Sequence, residues 1–136
     1  MADTIKLEIV TPEAVVYSQD VDIVTLPAME GQIGVLAHHV RLITPLVPGE
    51  MIVRQGSKVE YLAVGEGLLE VTGSRVSVVT NMAIAADKID EAKAEEARQR
   101  AEARLREKIS AEEIASVNAS LARSLAQLRA KRRRQV

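Results

Sequence analysis

The sequence predicts an α+β protein: a mainly β N-terminal sandwich or barrel followed by a C-terminal antiparallel α-helical hairpin. Three observations predict it. Up to about Ala86 the chain is rich in Val, Ile, Leu and Gly, with Gly, Pro or Asn at almost every turn. From Ile89 onward there is neither Gly nor Pro, and Ala, Glu, Arg, Lys, Gln, Ser and aliphatics dominate. The first composition suits short strands and the second suits helix, where straight-chain residues and Ala cost least. At the same point the apolar period changes from two to nearly four. The expected domains are 1–86 and 87–136.

The elements follow in order. Ile5-x-Leu7-x-Ile9 alternates as a half-buried strand does, Thr11-Pro12-Glu13 breaks it, and Ala14–Tyr17 resumes. Val21-x-Ile23 leads into Val24–Leu26, a strand that Pro27 is expected to stop. Gln32–Leu36 is short and Gly-flanked, and Pro48-Gly49 signals a turn. Met51–Arg54 and Lys58–Val64 flank Gln55-Gly56-Ser57 as a hairpin. Leu68–Val71 and Arg75–Thr80 flank Thr72-Gly73-Ser74 as another.

Beyond the break, Ile89, Lys93, Ala97, Ala101, Leu105 and Ile109 recur every four residues, a largely Ala stripe on one helix. Ser110-Ala111-Glu112-Glu113 is a capping box and starts a second helix without Gly or Pro. Ile114, Val117, Leu121, Leu125 and Leu128 then follow 3–4 spacing. Two helices with so short a joint form a hairpin. A seam this thin resists opening weakly.

Composition excludes several function classes. Hydrophobic residues make up 47% of the 136, yet Tyr17 and Tyr61 are the only aromatics, so nothing offers a stacking platform for bases. Without Cys there is no disulfide, thiolate metal site or thiol catalysis. Met1-Ala2-Asp3-Thr4 does not resemble a signal-peptide start, and no apolar run approaches the ~20 residues that span a bilayer. A soluble protein without direct membrane insertion is expected.

The net charge of −1 hides a division. Residues 1–85 carry ten acids and five bases, and residues 86–136 nine acids and thirteen bases. Beyond Glu113 stand Arg123, Arg129, Lys131, Arg132, Arg133 and Arg134 with no acid. Basic charge gathered at a helix end suits an acidic partner surface, whereas a solvated terminus is the plain alternative. Nucleic acid is not expected, because the rest of the chain is acidic or neutral and carries no base-reading element.

No catalytic set is visible. His38-His39 lacks a third ligand for a metal, so a loop or contact role is expected and no metal. Gly31-x-x-Gly34 and Gly65-Glu66-Gly67 lack the rest of a phosphate loop and read as tight turns. Asp20, Asp22, Asp87 and Asp90 read as turn and cap residues.

The order of these pieces carries a resemblance over essentially the whole chain. Glu30-Gly31-Gln32-Ile33-Gly34-Val35-Leu36 is followed by His39, then Leu42-Ile43-Thr44-Pro45-Leu46 and Pro48-Gly49. Val64-Gly65-Glu66-Gly67-Leu68-Leu69-Glu70-Val71 runs into Val76–Val79, and Ile89-Asp90 opens an Ala/Arg-rich hairpin. Together they resemble the epsilon subunit of F-type ATP synthases. Such proteins usually show Gly-Gly where this chain has Glu66-Gly67.

The resemblance implies a non-catalytic rotor subunit that binds gamma, rests on the c-subunit ring and couples rotation to ATP synthesis. It sits at the cytoplasmic face of a bacterial plasma membrane, peripherally. By analogy the c-ring contacts are Glu30, Gln32 and His39, with Gly31 and Gly34 as backbone enablers. The hairpin corresponds to an arm that, when extended, enters the alpha/beta catalytic hexamer and blocks hydrolysis through Arg123, Arg129 and Lys131–Arg134. Some members also bind ATP on the folded hairpin through Ile/Leu-Asp-x-x-Arg-Ala. Here Ile89, Asp90, Lys93, Ala94 and Arg123 match, but Lys93 replaces an Arg, Gln127 replaces a second and Ile84 an acid. A Lys point charge loses bidentate contact, so ATP binding is expected to be weak or absent and no cofactor is assigned. A β-domain adaptor with a basic coiled-coil tail, recruiting a protein or nucleic acid, is the alternative.

Overall fold

The computed structural model describes residues 3–134, with the side chain of Arg134 outside the described part. Ten strands come first: β1 (Ile5–Val10), β2 (Val15–Val21), β3 (Ile23–Ala28), β4 (Gly31–Val35), β5 (Leu42–Leu46), β6 (Gly49–Gln55), β7 (Lys58–Val64), β8 (Gly67–Val71), β9 (Arg75–Thr80) and β10 (Ala83–Ala85). A short 3-10 helix (Ala86–Lys88), α1 (Glu91–Leu105) and α2 (Ala111–Arg134) follow. The mainly β then helical architecture is the one the sequence predicts.

Strand order is β10-β7-β6-β3-β5-β8-β9-β1-β2, with β4 on β3. β3 meets β5 through Ala28 and Leu46 alone, and the sheet folds there into two layers. At the opposite corner the Asp22 N–H donates to the Arg54 carbonyl at 2.9 Å, and Gln55 Nε2 donates to the Asp20 carbonyl at 2.8 Å. The alternating inward residues of both layers make an aliphatic core: Ile5, Leu7, Ile9, Val24, Leu26, Met51, Leu62, Leu69, Val76 and Val78 are all buried. Each such side chain contributes ~1.5–3 kcal/mol, so this core holds without Phe or Trp. Tyr17 enters it with a buried hydroxyl that has no partner among the described residues. Burial, and then Glu60, push that hydroxyl's pKa up.

Three features depart from expectation. β3 runs through Pro27 to Ala28, because its ladder with β6 ends at Thr25 and a missing N–H beyond that point breaks nothing there. β5 and β10 were not evident from periodicity. Both are short, and β5 alternates apolar and polar residues only weakly.

The third departure is in α1. Asp90 caps it, its Oδ1 accepting the Lys93 N–H at 3.1 Å, so Ile89 lies outside the helix and is buried on the sandwich. Counting in fours from Ile89 therefore misplaces the stripe. Lys93 is exposed, and Ala94 and Ala101 are the buried positions. At α2 the Glu113 N–H donates to Ser110 Oγ at 3.1 Å, half of the capping box. The Glu113 carboxylate faces that hydroxyl and accepts Arg104 Nη2 at 2.6 Å, tying the two helices at their joint.

Candidate functional site

Three surfaces of this fold can carry function, and each is set by a different element. The first is the β3–β4 turn. Met29 and Glu30 form it, and Gly31 completes it with φ +125°, a conformation a side chain would strain. Glu30, Gly31, Gln32 and Gly34 are all exposed, and β4 pairs only with β3, so the hairpin projects. His39 is not part of this surface. It lies past the other end of β4, ~15 Å away at a strand's rise per residue, and is half-buried with Nδ1 2.7 Å from the Val40 carbonyl. Neighbouring His38 takes φ +67°, donates its N–H to the Gly73 carbonyl at 2.7 Å, and places Nε2 2.6 Å from Asp3. The five residues grouped by analogy thus divide between two ends of the sandwich.

The second surface is the outer face of the layer β5-β8-β9-β1-β2. The registers Pro45–Leu68, Leu68–Val79 and Val79–Val10 place these residues in one row across four strands, and Val10–Val15 extends it to a fifth. Leu68 is 48% exposed, Val79 56% and Val15 59%. Ile43 and Val40 add to it toward the His39 end and are more exposed still. A contiguous apolar row on an outer sheet face, unlike apolar residues scattered singly, is a candidate interaction site. Residue pairs such as Leu68-Leu69 and Val78-Val79 were the only signal in sequence, and periodicity cannot tell which member faces out.

The third surface is the arm. α2 lies across β6 and β7, on the outer face of the other layer, and α1 packs against α2. Ala126 and Ala130 are fully buried against Ala63, Ala86 and Ile89, with Tyr61, Met82 and Ile84 around them. Small side chains let the helix approach closely but bury little area. By helical spacing Leu121, Leu125 and Leu128 fall on the opposite flank; Leu128 is buried and the other two half-buried, while Ile114 is exposed.

The basic residues divide sharply. Arg123 Nη1 donates to Glu66 Oε1 at 2.9 Å, and Asn81 Nδ2 donates to the same oxygen. Arg133 donates to both oxygens of Glu50, from Nε at 2.5 Å and Nη2 at 3.4 Å. Arg132 reaches Glu91 on α1 at 3.3 Å. Arg129 borders an open groove of about 630 Å³ with Glu50, Tyr61, Arg132 and Arg133, and Lys131 is half-buried. The Arg134 side chain lies outside the described residues. Partial burial alone would raise the Glu66 pKa, but the hydrogen bonds from Asn81 and Arg123 outweigh it and hold the carboxyl below its ordinary value. Glu50 hydrogen-bonded to Arg133 pushes that guanidinium up. Glu50 and Glu66 escaped the sequence reading as arm partners, although Glu66 stood out as a departure from Gly.

Of the residues matched to an ATP contact, Ile89 and Ala94 are buried, Asp90 is the α1 cap, Lys93 points to solvent and Arg123 is paired with Glu66. Among the described residues no group of three or more His, Asp or Glu could hold a metal, and no helix is long and apolar enough to cross a membrane.

Residues 4–86 match the family described as ATP synthase, Delta/Epsilon chain, beta-sandwich domain, and residues 87–132 match its long alpha-helix domain. An ATP synthase epsilon chain of Desulforamulus reducens is 40% identical over 96% of this chain and 98% of its own length. One from Herpetosiphon aurantiacus is 42% identical over 91% of each. Among solved structures, a chain in the cryo-EM structure of the Euglena gracilis mitochondrial ATP synthase OSCP/F1/c-ring superposes with TM-score 0.80 at 25% identity. That match covers 93% of this chain and 80% of the other.

Proposed function

The chain belongs to the ATP synthase delta/epsilon family as an epsilon subunit, and from that premise we propose that it is a non-catalytic rotor part seated on gamma by its bare apolar face. The single observation that carries this is the row Pro45, Leu68, Val79, Val10 and Val15 on one layer, opposite the layer its own arm covers. One outer face is satisfied within the chain, and the other needs a partner. His39, Val40 and Ile43 extend that face, so His39 is assigned to gamma rather than to the c ring. The projecting Glu30–Gln32 turn, with Gly31 and Gly34 shaping it, is left to meet the c ring, whose exposed loops lie at head-group level. On this reading the protein works at the cytoplasmic face of a bacterial plasma membrane and couples rotation to ATP synthesis.

The arm supplies regulation. Extended, α2 would present Arg123, Arg129 and Lys131–Arg134 to acidic groups on the alpha/beta hexamer and restrain hydrolysis. Six exposed ion pairs at ~0.2–1 kcal/mol each give roughly 3 kcal/mol, whereas moving a population from 1:99 to 99:1 needs ~5.5 kcal/mol. Reburial of Leu121, Leu125 and Leu128 in the hexamer must supply the rest. ATP is assigned no more than weak binding to the folded arm, because Arg123 and Asp90 already have partners and Lys93 offers no fork.

The test is affinity purification of the tagged chain from membranes. The wild-type protein retains gamma at one-to-one stoichiometry, and Leu68→Glu with Val79→Glu loses it while keeping its circular dichroism. Retention of gamma by a folded double variant refutes the assignment.

A further inference from the structure

The seam between arm and sandwich is built from Ala63, Ala86, Ala126 and Ala130, which fit closely but bury little. At each end of that seam stands an ion pair joining residues far apart in the chain. Arg123 meets Glu66 on the β7–β8 connection, and ten residues later Arg133 meets Glu50 on β6. Ten residues of helix separate the two by ~15 Å. Both acids are pre-positioned. Asn81 donates to the Glu66 carboxylate, and the Glu50 side chain is only 10% exposed beside Tyr61. The Arg133 pair is bidentate, which fixes direction as well as distance.

We infer that Glu50 and Glu66 form a two-point clasp that holds the arm on the sandwich by occupying Arg133 and Arg123. The clasp is an internal decoy for the acidic surface that the arm would otherwise engage, and in that respect the inference rests on the regulatory reading above. While it is closed, two of the arm's six terminal cations are spent on the sandwich. The arm cannot hold both partners with them.

The ion pairs of the arm fall into two sets. Arg132–Glu91 and Arg104–Glu113 join α1 to α2 and do not touch the sandwich. Lifting the hairpin breaks the Glu50 and Glu66 pairs but leaves these two intact. Straightening α2 away from α1 breaks them. The pairs that hold the arm to the sandwich are thus distinct from those that hold the hairpin closed.

The chain has no Cys, so Gln19→Cys and Glu96→Cys, both at exposed positions, give two unique spin-label sites in the full-length protein. The wild-type chain gives one short distance at low salt. Glu50→Gln with Glu66→Gln raises the longer-distance population by ~10-fold, as loss of two ion pairs should, and 0.5 M NaCl moves the wild-type protein the same way. Exchanging the charges of one pair, Glu66→Arg with Arg123→Glu, keeps the short distance, whereas Glu66→Arg alone loses it. An unchanged distribution in a folded double Gln variant, or no response to salt, overturns the clasp. Hydrolysis by the assembled enzyme is read separately. If the double variant opens in solution while removal of residues 88–136 leaves hydrolysis unaltered, the brake fails and the clasp stands.

Discussion

Leu68 and Val79 stand opposite each other on antiparallel strands β8 and β9, both about half exposed, while their immediate neighbours Leu69 and Val78 are fully buried. One strand face thus builds the core, and the other leaves an apolar surface exposed. The two roles separate by mutation. Leu69→Ala should cost ~2–5 kcal/mol by leaving a cavity, and Leu68→Glu should change the unfolding free energy by less than ~0.5 kcal/mol. Urea denaturation of the two variants checks this, and equal losses would show that Leu68 is a core residue.

The turn at Glu66-Gly67 gives a second contrast. A Cβ on Gly67 would stand 1.9 Å from the Val79 carbonyl oxygen, so backbone must move to admit it. Gly67→Ala should destabilise by at least ~2 kcal/mol. Glu66→Gly removes the carboxylate that Asn81 and Arg123 reach, which loosens the arm, but forces no backbone shift and should leave the sandwich within ~0.5–1 kcal/mol of wild type. Thermal unfolding distinguishes them. A Gly67→Ala protein as stable as wild type would contradict the close approach.

The Glu66 carboxyl titrates below its ordinary value because it is hydrogen-bonded by Asn81 and Arg123 in the folded chain, against the pull of burial. A depressed folded pKa means its contribution is present above the unfolded value of about 4.5 and lost as pH falls through the lower folded one. Hydrogen exchange of the α2 amides from Ser124 to Ala130 should therefore be unchanged, after correction for intrinsic rates, from pH 7 to 5.5. Opening should set in only in the acid range below the ordinary carboxylate value. A transition near pH 6 would contradict this.

Calorimetric titration of the full chain with ATP should give no heat of binding below the millimolar range. Micromolar affinity would mean that Arg123 leaves Glu66 for the nucleotide and that Lys93 swings in from solvent.

Much of the fold was legible because local rules and global packing agree. Ile5-x-Leu7-x-Ile9 alternates and is buried at each of those positions, Gly56 turns the β6–β7 hairpin with φ +62°, and Ser110 caps α2. Reading failed where tertiary context decided. Pro27 is tolerated because the β6 ladder has already ended. Lys93 drops out of the α1 stripe because Ile89 lies outside the helix, which starts at Glu91 behind the Asp90 cap, so counting in fours from Ile89 is out of phase. The partner face was illegible for a related reason. In β8 and β9 apolar residues occupy both faces, and only cross-strand register shows that Leu68, Val79 and Val10 align. The arm's partners Glu50 and Glu66 lie 83 and 57 residues from the arginines they hold, beyond any local pattern.

The most direct test of the central claim is site-specific cross-linking in the assembled complex. A photoactivatable label on Leu68→Cys, in a chain without other Cys, should attach to gamma in high yield, and one on Gln32→Cys should attach to the c subunit instead. Labelling of gamma from Gln32 with none from Leu68 would contradict the account, because the apolar face would then be turned away from the axle it is proposed to grip.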